Sequence, residues 1–417
     1  MAITRIQLEA ATEALARVLR FERPADAVLH DFFRERRALG ARDRAFVAES
    51  VYGVLRRKRT VEHLAPGGGA RKMLLAYLAR LAGTSGRELA PLLAKEEAAW
   101  LARVKAEPLD DLPLAVRAEL PDWVADRLAA QFSAADLLVA ARALNAPAPL
   151  DLRVNTLRAT REEVLAALAA DGIEAAGTPW SPVGVRVAGH PALDRHSLFT
   201  RGAIEVQDEG SQLVCYLVAP KRRERVVDFC SGAGGKTLML GALMRSQGRL
   251  YAFDVSPARC ARLKPRLARS GLSNVFAHPI ANENDARVKR LAGKIDRVLV
   301  DAPCTGLGTL RRNPDLKWRR SPQDASELAL KQAAILRAAA NLVKPGGRLV
   351  YATCSLLAEE NEDVVAAFLA ERGDFRALHC GELLRQQGIA LDTGEFLKLL
   401  PHLHGTDGFF AAALTRV

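Results

Sequence analysis

The 417-residue chain has no apolar run near the ~18–20 residues that a membrane-crossing helix requires. It has no internal repeat, no low-complexity tract and only six cysteines: Cys215, Cys230, Cys260, Cys304, Cys354 and Cys380. No two of them form a C-x-x-C pair, which argues against a zinc ribbon and leaves free thiols as the expectation. The triplet His402-Leu403-His404 has no carboxylate pair or cysteine nearby, so no metal is expected there. Residues 1–20 carry acids within an apolar stripe and read as an amphipathic helix, not a signal peptide. A soluble, cytoplasmic protein without a membrane partner is the expectation.

Hydrophobic residues make up 49% and charged residues 26%, a globular balance. The formal charge of +12 suits a polyanionic partner, nucleic acid being the commonest, although a generally basic, Ala- and Arg-rich proteome would give the same excess. The length implies two or three domains. Residues 1–140 show apolar positions at helical spacing, with Ile6, Ala10, Leu15 and Leu19 near one face and Phe46, Val47, Val51, Val54 and Leu55 on another, and read as an all-α bundle. Residues 145–210 read as a small α+β insert, with a strand in "PLDLRVN" and a helix from Arg161 to Asp171 ended by Gly172. From 211 to 417, short β-branched or aromatic runs alternate with helical stretches. That predicts an α/β domain with a doubly wound sheet, ligands beyond the strands' carboxyl ends, and "GFFAAALTRV" at a sheet edge.

The first such end carries "DFCSGAGGKT", Asp228 to Thr237. A phosphate-cradling Walker loop needs glycine at 230, where Cys230 stands. A dinucleotide fingerprint that starts at Gly232 needs glycine at 237, where Thr237 stands. A structural turn remains open, but the next strand ends in Asp254, placed to accept hydrogen bonds from two ribose hydroxyls. A glycine loop without a pyrophosphate fingerprint, followed by that acid, fits S-adenosylmethionine, with Asp228 available for its ammonium group.

Two later strands end in "DAPC" (Asp301 to Cys304) and "YATCS" (Tyr351 to Ser355). One free cysteine is most often a small buried hydrophobe. Two at neighbouring strand ends, with an acid, suit covalent chemistry on a pyrimidine. A thiolate that adds to C6 of cytosine makes C5 enamine-like, and a base must then remove the C5 proton. Lys236 is a candidate for raising the thiolate fraction.

These motifs, in this order and spacing, resemble the RsmB/Nop2/Sun family of RNA cytosine-C5 methyltransferases. "DAPCTGLGTLRRNPDLKW", "YATCSLLAEENEDVV", "LRVNTLR" and "GAIEVQDEGSQLV" extend the likeness, and "LGARDRAFVAESVYGVLRRK" resembles a NusB-like helical domain. The resemblance implies a Rossmann-like class I methyltransferase domain behind a NusB-like RNA-binding domain and an α+β subdomain. It implies Cys354 as nucleophile, Cys304 in product release and Asp301 at the cytosine edge. Cys230, Ser231, Gly232, Ala233, Gly234, Gly235, Lys236 and Asp254 would hold S-adenosylmethionine, joined by Asp228 and Asp301. The loop departs from the family's usual Cys-Ala-Ala-Pro-Gly-Gly-Lys, and Asn282 stands where an aspartate near the adenine is usual.

Arg311, Arg312, Lys317 and Trp318 read as RNA contacts, against the alternative of a solvated basic loop with a buried indole. The expected partner is structured RNA, 16S rRNA foremost, met by a monomer. The same chemistry on tRNA, or RNA binding without a cofactor, are the rival readings.

Overall fold

The computed structural model describes residues 3–417. Met1 and Ala2, the first two positions of the expected amphipathic helix, lie outside the described residues. The chain forms two compact units. One holds the chain up to Pro147 together with Thr309–Pro322; the other holds Ala148–Gly308 and Gln323–Val417.

The first unit is helical. Thr4 caps helix Arg5–Val18 by accepting from Gln7 N, and the Gln7 side chain returns a bond to Thr4 N. Leu8, Ala11, Leu15 and Val18 face the core. The face expected from Ile6 is therefore rotated: Ile6 is 65% exposed, because two residues on a helix turn by about 200°. Helix Ala41–Arg56 buries Val47, Val51, Val54 and Leu55 against the same cluster. The Thr309–Pro322 segment is built into this unit. Asp315 Oδ2 accepts from Ala25 N at 3.1 Å, a remote cap for helix Ala25–Glu35, whose preceding residue Pro24 gives no side-chain cap. Trp318 Nε1 donates to the Leu55 carbonyl at 2.9 Å and packs on the helical core.

The second unit contains two sheets. Strands β1 (Leu150–Val154), β2 (Ala175–Gly177), β3 (Gly184–Val187) and β4 (Ile204–Val206) pair antiparallel in the order β2-β3-β1-β4. Helix Arg161–Ala170 begins with a capping box between Thr160 and Glu163 and stops at Gly172, whose φ of +71° suits glycine.

The larger sheet comprises β5 (Arg225–Asp228), β6 (Arg249–Asp254), β7 (Val275–Pro279), β8 (Ile295–Asp301), β9 (Val343–Thr353), β10 (Phe375–Leu378), β11 (Leu397–Leu399) and β12 (Phe409–Arg416). Its order is β10-β12-β9-β8-β5-β6-β7, with β11 paired to β12. β5 to β9 run parallel, while β12 lies antiparallel between β9 and β10. The terminal strand is thus interior, not an edge. Its run from Phe409 to Leu414 is buried on both faces, as an interior strand requires. From β5 the chain continues to β6 on one side, and β8 lies on the other. The crevice at this reversal opens beyond the carboxyl ends of β5, β6, β8 and β9.

Candidate active site

Four strand ends supply the chemistry: Asp228 closes β5, Asp254 closes β6, Asp301 closes β8, and Cys354 directly follows β9. The glycine loop folds over the first two. Asp254 Oδ2 accepts from Gly232 N at 2.9 Å and Oδ1 from Ser256 N at 2.8 Å. Gly232 has a φ of +56°, and a Cβ built there meets no atom within 4 Å, so it faces open space. Gly234 has a φ of +86° and a Cβ there would stand 2.1 Å from Leu263 Cδ1. Two arginines brace the loop from outside: Arg153 Nη1 donates to Gly235 O at 2.6 Å, and Arg266 Nη1 to Ala233 O at 2.7 Å.

Beside the loop lies a pocket of about 230 Å³. Phe229, Ile280 and Ile335 are among its apolar walls, and Cys230, Gly232, Asp254, Arg259, Glu283, Asp301 and Lys331 are among the rest of its lining. Apolar walls suit a purine, a carboxylate at Asp254 suits a ribose, and the bare Gly232 edge permits close approach. The residues present fit an adenosyl ligand. Replacing Asp254 by alanine removes both the ribose acceptor and the anchor of Gly232 N. We expect S-adenosylmethionine affinity to fall about 10- to 100-fold by calorimetry, the scale of a charge-assisted hydrogen bond.

Cys304 and Cys354 are free, partly exposed thiols with their Sγ atoms 3.4 Å apart. The contact with Cys354, together with burial, pushes the Cys304 thiol well above its usual range. Lys236 Nζ lies 2.8 Å from Asp301 Oδ2. Burial alone would lower the Lys236 pKa, but Asp301, and more weakly Cys354, raise it, so the ammonium stays charged. An acid and two thiols therefore stand at the ends of adjacent strands, with a cation from the first turn of helix Gly235–Leu243 paired to the acid.

Residues 215–415 match the family described as 16S rRNA methyltransferase RsmB/F. The chain is 33% identical over 416 residues, 92% of its length and 93% of the relative's, to the probable ribosomal RNA small subunit methyltransferase B of Synechocystis sp.. This chain belongs to the RsmB/F family. A second relative, ribosomal RNA small subunit methyltransferase B of Shewanella oneidensis, is 31% identical over 410 residues, covering 92% of this chain and 93% of its own. Residues 120–194 match the ferredoxin-like domain of RsmF/B-like methyltransferases. The crystal structure of PH0851 superposes with a TM-score of 0.81 at 26% identity and covers 100% of both chains. The family depends on S-adenosylmethionine, which the pocket at Asp254 suits.

Within this RsmB/F framework, several residues fall away from their expected places. Asp228 is fully buried; Oδ2 accepts from Thr237 Oγ1 at 2.6 Å, and Oδ1 has no hydrogen-bond partner. Burial raises its pKa to about 7. It braces the loop and does not line the pocket. Asn282 is exposed, its Oδ1 accepting from Asn284 N in a local turn at 2.8 Å. Glu283, one residue on, lines the pocket instead and pairs with Lys331 at 2.8 Å.

Lys317 has no exposed surface; its Nζ donates to Asn145 Oδ1 at 2.7 Å and to the Arg56 carbonyl at 3.4 Å. Arg311 is 6% exposed. The indole NH of Trp318 is spent on Leu55. Lys317 is therefore an internal tie of the helical unit, not an RNA contact, and Arg311 offers almost no surface. Arg312 remains half-buried.

Burial lowers the Lys317 pKa to about 7, against the attraction of Glu119. The unfolded chain then binds more protons than the folded one from about pH 7 up to the usual lysine range. Stability from this group therefore rises with pH across that window. We expect Lys317→Met to flatten that rise, read as the wild-type-minus-variant difference in urea unfolding from pH 6 to 10.

Glu360 was not singled out in the sequence, where it sits beside Glu359, Glu362 and Asp363. It is fully buried and binds the residues that follow both cysteines. Only its flanking apolar residues, Leu356, Leu357, Val364 and Val365, hinted that the run turns inward.

Proposed function

We propose that this chain methylates C5 of a cytosine in 16S rRNA, with Cys354 as the attacking thiol. The observation that carries the reading is the pair of free sulfurs 3.4 Å apart at adjacent strand ends, next to Asp301 and Lys236. S-adenosylmethionine, when bound, supplies an electrophilic methyl group. Cys354 forms a bond to C6, which loads electron density onto C5. The C5 proton then passes to water, the C6–S bond breaks and the ring regains its double bond, and Cys304 assists this release by donating a hydrogen bond to the departing Cys354 sulfur. Asp301, its carboxylate oriented by Lys236, takes the cytosine edge near N3. Cys230 to Lys236 and Asp254 hold the cofactor, with Glu283 at the adenine end in place of Asn282.

The target base has to leave any stack to reach Cys354, so looped or unfolded RNA is the substrate form. Among the described residues no helix is long and apolar enough to cross a membrane. We place the chain in the cytoplasm, acting as a monomer. The substrate assignment is supported by the relatives, which are named as small-subunit rRNA methyltransferases.

The test is methylation of 16S rRNA fragments and of tRNA with a labelled methyl donor, followed by bisulfite mapping. We expect label at one cytosine of 16S rRNA and none in tRNA. Label in tRNA alone would move the substrate. Label in neither, with no S-adenosylmethionine binding, would favour an RNA-binding protein without catalysis.

A further inference from the structure

Two sulfurs 3.4 Å apart share one hydrogen bond, and either could be the donor. Which one keeps the proton decides which one attacks. Glu360 bears on that choice. It is fully buried, and no cation pairs with it among the described residues. Four donors meet its carboxylate: Thr305 N at 2.8 Å, Thr305 Oγ1 at 2.5 Å, Gln332 Nε2 at 2.9 Å, and Ser355 Oγ. Gln332 is held in its donating orientation because its Nε2 also faces the Pro303 carbonyl, which can only accept, at 2.9 Å, while Tyr351 OH donates to the Glu360 main-chain carbonyl at 2.5 Å. Four donors on two oxygens is the pattern of an ionised carboxylate.

These contacts favour the Cys304 side. Thr305, directly after Cys304, gives Glu360 two bonds. Gln332 Nε2 also donates to the Pro303 carbonyl, directly before Cys304, at 2.9 Å. The Cys304 loop is thus gripped on both flanks, while the Cys354 loop meets the Glu360 carboxylate through Ser355 Oγ alone, its other bond being Glu360 N to the Leu357 carbonyl at 3.1 Å. A buried charge without a counter-ion is costly, and packing alone does not require one here.

We propose that Glu360 is a positioning residue that selects the nucleophile. Its charge keeps the proton on Cys304, which donates it to the Cys354 sulfur, so Cys354 is the thiol that ionises, its own proton passing to solvent. The electrostatics agree: Glu360 raises the Cys304 pKa, after the larger effects of Cys354 and burial, whereas the charge felt by Cys354 includes that of Lys236. Tyr351 also faces Cys304, and Asp301 pairs with the Lys236 ammonium. This inference rests on the reading that the two thiols are the reacting pair.

The test is limited alkylation of the full chain with iodoacetamide, without RNA or cofactor, from pH 6.5 to 9.5, with labelled peptides counted by mass spectrometry. In the wild type we expect Cys354 to label at lower pH than Cys304. In Glu360→Gln we expect the labelling midpoint of Cys304 to move down by about one unit, a tenfold fall in the Cys354-to-Cys304 ratio near neutral pH. Labelling of Cys304 first, or at the same pH as Cys354, in the wild type overturns the proposal whether or not the variant folds. So does a variant that loses thermal stability with both midpoints unchanged. Because neither RNA nor cofactor is present, failure of the substrate reading registers separately: the labelling order stands, and no RNA is methylated.

Discussion

Cys354→Ala is expected to abolish both methyl transfer and covalent attachment to RNA, with a fall in kcat on the order of 10⁴-fold or more, as for loss of a nucleophile. Affinity for S-adenosylmethionine should stay within about twofold, on the scale of fewer than ~0.5 kcal/mol. The reason for this split is positional. The cofactor pocket is walled by Phe229, Asp254, Glu283 and Ile335, and Cys354 is not among its lining residues. Single-turnover methylation and calorimetry on the same preparation check both halves. A variant that retains turnover would remove Cys354 from the reaction.

Cys304→Ala has the opposite signature. The variant still forms the C6–S bond but resolves it poorly, so an RNA–protein species that survives denaturing gels accumulates. Turnover should drop about 10²- to 10⁴-fold, the range of a lost general acid or base. The 3.4 Å spacing makes this specific, because Cys304 is the thiol beside the attacking sulfur. If Cys304→Ala abolishes the adduct and Cys354→Ala accumulates it, the two roles are exchanged.

Much of this site was legible before folding, because strand ends are local features. "DAPC" and "YATCS" close apolar runs, and β8 and β9 pair in parallel as neighbours, which brings the sulfurs together. Asp254 was legible for the same reason, at the end of β6. Lys317 was not. A lysine amid Arg311, Arg312, Arg319 and Arg320 reads as an RNA contact, and partners far along the chain, Asn145 at 172 positions and Arg56 at 261, make it internal. The Asn282–Glu283 error is one residue of turn register, set by hydrogen bonds inside the loop that no periodicity encodes. The place of β12 was missed because β10 is only four residues long and alternates weakly. Glu360 was hidden by its company: acids beside acids suggest solvent, and its donors come from three separate segments.

The most direct measurement uses a 16S rRNA fragment with 5-fluorocytidine at the target position, incubated with the enzyme and S-adenosylmethionine. Fluorine at C5 blocks proton removal, so the sulfur bond to C6 cannot break. After proteolysis, mass spectrometry locates the nucleotide. The account predicts it on the peptide that contains Cys354. A nucleotide on the Cys304 peptide, or no covalent species despite methylation of the unmodified fragment, would contradict it.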